Sequence, residues 1–247
     1  MRQRWPSKLW VVRHGQSAGN VARDLADAAG AAMIAIDHRD MDVPLSELGE
    51  AQARSLGHWF AAMPERERPE VVLASPYVRA VRTAELIGAG GKVRVDERLR
   101  EREFGVLDRL TTLGIHERFP EQAEHRGILG KFYHRPPGGE SWCDVILRLR
   151  SALDTISLHH ADKRVLVVGH QVVVLCLRYI LEDLTEAEVL AIDREADVAN
   201  CGVTEYDFEP DCPDACRPTL KLYNFTAPLD IEGTPVTTAP DAKVAAE

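Results

Sequence analysis

The chain has 247 residues, 45% of them hydrophobic, and 30 basic against 39 acidic side chains give it a formal net charge of −9. That length can bury a substantial core and suits one large α/β domain, expected over residues 1–230. The acidic balance excludes nucleic acid or an anionic membrane surface as the main partner, and the five scattered cysteines read as reduced thiols of a cytoplasmic protein.

The opening residues, MRQRWPSK, have the basic character of a secretion signal. The apolar run behind them stops at Val12, before a signal core develops, and no later apolar segment nears the roughly 20 residues of a membrane span. Leu9–Val12 is instead a short buried strand that delivers Arg13-His14-Gly15 at its tip. In an open α/β sheet ligands bind beyond the carboxyl ends of the strands, so this charge is placed for chemistry. Val21–Ile36, rich in Ala and Asp, predicts a helix broken near Gly30; Val21–Asp42 reads as a lid over a pocket or as a surface insertion. Ser46 caps a helix running to about Met63, which Pro64 ends.

Val71–Ala74 is a second buried strand, and the following Ser75–Glu85 becomes a helix with Arg79 in its first turn, where the backbone already favours an anion. Val93–Val95 is a short strand, followed by the charge run Asp96–Glu103. Leu110–Phe119 reads as a helix, Phe132–Ser141 as a loop, and Ser141 as the cap of a helix Trp142–Leu158. Tyr133, His134 and Arg135 are candidates for a pocket rim. Val165–Gly169 is a third strand with a charged tip, His170-Gln171, and the helix after it, Val172–Leu181, is apolar enough to be buried. Thr185–Arg194 is a helix, Asn200–Phe208 alternates like a sheet strand, and Thr219–Phe225 pairs with it as a hairpin. Cys212 and Cys216 sit in a Pro- and Asp-rich loop between those strands. Residues 231–247 read as a tail without fixed structure.

Arg13-His14-Gly15-Gln16-Ser17 with Asn20, Pro44-Leu45-Ser46 before Gly49, the Arg79 segment, Leu99-x-Glu101 before Gly105, and Gly169-His170 occur in the order of a known family. Together they resemble the histidine phosphatase superfamily, its phosphoglycerate-mutase-like branch, over residues 8–208. The resemblance implies a three-layer α/β/α fold with a mostly parallel central sheet. It also implies a phosphomonoesterase acting on a small phosphorylated metabolite through a phosphohistidine. His14 is then the nucleophile, Glu101 the proton donor, and His170 completes the catalytic set. Arg13, Arg79 and Asn20 hold the phosphate. Gln171 joins them by its likeness, shared with Gly139-Glu140-Ser141, to fructose-2,6-bisphosphatase domains. Those domains carry a Lys and an Arg where this chain has Gly138 and Leu175, which weighs against a sugar bisphosphate as substrate. Val106–Arg109 also departs from the family, which often has Trp-Glu-Gly there.

A carboxyl beside a phosphate dianion has its pKa raised, as a general acid near neutrality requires. No metal or other cofactor is implied, because Arg and His supply the positive charge that Mg²⁺ supplies elsewhere. Two alternatives stand beside hydrolysis: a phosphoglycerate-type mutase, and a non-catalytic phospholigand-binding protein on the same fold. The mutases carry a longer basic insertion before the Glu-Ser helix start and a Tyr where this chain has Phe104. The sequence does not encode the quaternary state, and a homodimer is left open.

Overall fold

The structure is a computed structural model that describes residues 5–209 and 218–238. In chain order it runs β1 (Lys8–Arg13), α1 (Ala18–Ala28), α2 (Glu47–Ala62), β2 (Val71–Ala74), α3 (Val78–Ile87), β3 (Arg94–Val95), α4 (Thr112–Arg118), α5 (Pro120–Tyr133), α6 (Trp142–His159), β4 (Arg164–Gly169), α7 (Gln171–Leu181), α8 (Glu186–Glu195), β5 (Val203–Asp207), β6 (Thr219–Phe225) and α9 (Ala227–Ile231). The strands form one sheet in the order β3-β2-β4-β1-β5-β6. Its first four strands are parallel, while β5 and β6 are antiparallel.

The apolar runs of β1, β2 and β4 are continuous because both sheet faces are covered. Leu9, Val11, Val71, Leu73, Val165 and Val167 face one layer, built by α6 and α7 with Leu149, Val172 and Leu175. Trp10, Val12, Val72, Ala74, Leu166 and Val168 face the other, where α2, α3 and α9 supply Leu56, Phe60, Ala80, Ala84 and Leu229. This is the expected three-layer α/β/α architecture with a mostly parallel sheet. No helix among the described residues is long and apolar enough to cross a membrane.

Several boundaries differ from the sequence reading. Ser17 caps α1, so the helix starts at Ala18 and ends before Gly30, whose φ of +60° turns the chain. Phe132 and Tyr133 close α5, so the loop before Ser141 begins at His134. The expectation of a structureless tail from residue 231 needs correcting as far as residue 238. Gln52 Nε2 donates to Pro235 O and Thr237 Oγ1, both at 2.9 Å, and Asn200 N donates to Thr237 O at 2.9 Å. The rest of that tail, and Cys212 with Cys216, lie outside the described residues.

Candidate active site

Strand register alone gathers the charged tips. Arg13 on β1 stands opposite Gly169 on β4, and Ala74 on β2 opposite Val168. The next residue of each strand, His14, His170 and Ser75, therefore leaves the sheet at one edge. The His14 and His170 rings meet edge to face, 5.1 Å between centroids. Arg79, in the first turn of α3, is only 5% exposed and directs Nε to His14 Nε2 at 3.3 Å.

His14 Nδ1 lies 2.7 Å from Gly15 O, a carbonyl that can only accept, so Nδ1 carries the proton and Nε2 the lone pair. Burial, and then the charges of Arg79 and Arg13, hold the His14 pKa well below its ordinary 6.5. The same forces, with His14 and Arg148 added, depress that of His170. His170 Nε2 is 2.8 Å from Ser75 Oγ, and its Nδ1 is 3.7 Å from Glu101 Oε2. Among the described residues that Nδ1 has no hydrogen-bond partner, although it is buried.

These groups bound a cavity of about 150 Å³. Arg13, His14, Asn20, Arg79, Glu101 and Gln171 line it; His170, fully buried, stands behind the wall between the rings of His14 and Tyr77. Arg13 donates through Nη1 to Val198 O, which anchors its guanidinium. Asn20 Oδ1 accepts from Ser17 N at 2.9 Å in a capping box, so it is the amide nitrogen that remains for a ligand. Gln171 departs from its expected role: Nε2 donates to Asp197 Oδ1 at 3.1 Å, and the buried Oε1 has no partner among the described residues. Its remaining polar atom is thus a buried acceptor, and not the donor that a phosphate oxygen takes.

The Glu101 loop is held by a buried ion pair. Glu140 accepts from Arg148 Nε at 2.9 Å, Arg100 Nη2 at 2.7 Å and Glu103 N at 3.1 Å. Arg148 also donates to Arg98 O at 2.6 Å and Glu101 O at 3.2 Å. Burial pushes the Glu140 carboxyl up, but Arg148, Glu103 N and Arg100 outweigh it and hold the pKa below the ordinary value.

Residues that sequence reasoning did not select complete the site. Thr83 Oγ1 accepts from Gly15 N at 3.1 Å, and Asn200 Nδ2 donates to His14 O at 3.0 Å. Ser75 was findable, being the tip of β2 as His14 is of β1. Of the three proposed rim residues only His134 lines the cavity; Tyr133 is 53% exposed, and Arg135 pairs with Asp144 on the surface. The segment read as lid or insertion is a cavity wall, with Ile34, Ile36, His38 and Asp40 facing in. Arg109 pins it by donating to Ile36 O at 3.2 Å and His38 O at 2.9 Å.

A family model described as histidine phosphatase superfamily (branch 1) matches residues 9–221. Similar curated sequences include a 6-phosphofructo-2-kinase/fructose-2,6-bisphosphatase of Caenorhabditis elegans, 31% identical over 189 residues, 76% of this chain. This chain spans 37% of the length of that relative. A probable phosphoglycerate mutase GpmB of Yersinia enterocolitica is 29% identical over 206 residues, 82% of this chain and 85% of the relative. Among solved structures, that of mycobacterial glucosyl-3-phosphoglycerate phosphatase has a TM-score of 0.69 and 27% identity, covering 90% of this chain and 99% of that one.

Proposed function

Because the chain belongs to branch 1 of the histidine phosphatase superfamily, we propose that it hydrolyses a small phosphate monoester through a phosphohistidine at His14. The observation that carries this reading is the His14 ring, neutral, with its lone pair on Nε2 beside the Arg79 guanidinium. Nε2 attacks phosphorus and the ester oxygen leaves with a proton from Glu101. Glu101 then takes a proton from the water that attacks phosphohistidine, releasing inorganic phosphate and restoring both residues. Arg13 and Arg79 offer forked donors to the phosphoryl oxygens and the Asn20 amide adds another, while His170 packs edge to face behind the His14 ring.

The test is transfer of labelled phosphate from an ester to the protein. An acid-labile label is expected on wild type and none on His14→Ala, whose turnover of esters should fall at least about a thousandfold. Binding of esters with no label on wild type would favour the non-catalytic alternative. The likeness to a probable mutase keeps phosphoryl return as a second reading. Rapid formation of 2-phosphoglycerate from 3-phosphoglycerate and 2,3-bisphosphoglycerate would decide for it.

A further inference from the structure

We propose that Asp40 is a specificity-determining residue, which competes with the phosphoryl group for Arg79 and favours esters whose leaving group carries hydroxyls close to the ester oxygen. Arg79 Nη1 is engaged twice by this one residue, by the Asp40 carboxylate at 3.0 Å and by its main-chain oxygen. The Arg79 side chain is 6% exposed, so it has little room to serve a second anion while Asp40 stays in place. A phosphoryl group that takes up Nη1 must displace the Asp40 carboxylate or lie beside it. The wall that carries Asp40 is fixed by Arg109, and Val43 buries its far end, so the main chain stays in place and the carboxylate, 40% exposed, gives way by turning about its own side-chain bonds.

Repulsion from Asp40 weakens inorganic phosphate, which has no group to offer in return. An ester with a hydroxyl near its bridging oxygen can donate to the displaced carboxylate and recover the loss. The rest of the cavity is polar and suits hydroxyls, which both donate and accept: the guanidiniums of Arg23, Arg102, Arg109 and Arg126 line it beside further acceptors. Its acceptors besides Asp40 include the Asp108 carboxyl, whose pKa is raised by burial and by Asp40, and two residues of the wall each keep a buried acceptor behind it. These are Gln171 Oε1 and His134 Nδ1, both without partners among the described residues. His134 Nε2 faces Gln122 Oε1 at 3.3 Å and so carries the proton, and burial with the charges of Arg102 and Arg126 lowers its pKa to about 4, leaving Nδ1 an acceptor. Such a lining suits a polyol phosphate better than an alkyl one.

The proposal rests on the hydrolase reading, but its test needs no turnover. Calorimetry on wild type, Asp40→Asn, Asp40→Ala and Asp42→Asn would give dissociation constants for inorganic phosphate, propylphosphonate and 2,3-dihydroxypropylphosphonate, the last two being non-hydrolysable. Asp42 pairs with Arg39 on the surface, so its variant removes the same charge without touching Arg79. Asp40→Asn should bind phosphate about tenfold more tightly than wild type, and Asp42→Asn within about twofold of it. Wild type should prefer the dihydroxypropyl compound at least about fivefold, and Asp40→Ala should lose that preference. The proposal is overturned if Asp40→Asn binds phosphate no more tightly than Asp42→Asn, if the preference survives in Asp40→Ala, or if none of the four proteins binds phosphate. Loss of the hydrolase reading would show separately, as no label on His14 while the phosphate constants still differ between variants.

Discussion

His14 holds its proton on Nδ1 against Gly15 O and resists a second one because two guanidiniums and burial oppose it. Its nucleophilic nitrogen should therefore stay unprotonated at pH 6.5, where an ordinary histidine is half charged. A nitrogen-15 titration giving His14 a pKa of 6.5 or above would contradict this. With both folded pKa values below the ordinary one, the unfolded chain binds more protons, so stability is full above about pH 6.5 and falls as acid is added. Denaturant unfolding should lose up to about 1.4 kcal/mol per pH unit for each of His14 and His170 within that window. At this scale the nucleophile and its arginines were legible, since a basic pair at the tip of an apolar strand has few structural uses. The Asn20 carbonyl was also predictable, because Ser17-x-x-Asn20 is a capping arrangement. Asp40 was not, since nothing in its segment has a period that shows which way a side chain faces.

Glycines explain how the first loop is shaped. A Cβ on Gly49, at the start of α2, would lie 1.9 Å from Gln16 O, and one on Gly15 would lie 2.4 Å from Gly49 O. The two backbones touch, and Ser46 ties them further by donating to Gln16 Oε1 at 2.7 Å while capping α2. Gly49→Ala should cost at least about 1–3 kcal/mol of stability and reduce turnover by moving the His14 loop. Thermal unfolding and steady-state rates would check both. The α6 pair matters in another way, because Arg148 braces the Glu101 loop through Glu140. Arg148→Met should destabilise the fold by about 3 kcal/mol, since it leaves the Glu140 charge short of its main partner, and it should lower kcat more than it raises KM. Helix starts at Ser17, Ser46 and Ser141 were legible from their caps. The contact between Gly15 and Gly49 was not, because a close approach of two backbones has no pattern beyond the glycines themselves.

The whole molecule joins its last described segment to its first strand. Asn200 holds His14 O with one side-chain atom and Thr237 with the other, and Gln52 binds Pro235 and Thr237. Deletion of residues 232–247 should therefore lower both the melting temperature and turnover severalfold more than removal of residues 239–247, a comparison that calorimetry and rates can make. Composition concealed this, because a Pro- and Thr-rich stretch without aromatics looks unable to bury anything, yet its Pro235 carbonyl and Thr237 hydroxyl are what Gln52 uses. The three-layer architecture was legible, since strands covered on both faces must be apolar throughout. The position of β1 has a consequence for synthesis. Lys8 pairs with Arg164 on one side and Asp207 on the other, so β1 waits for both its neighbours until the roughly 200 residues that follow it have been made. Affinity for an anion should thus appear late and abruptly in refolding, after the helices have formed, which would make bound vanadate a reporter of completed assembly.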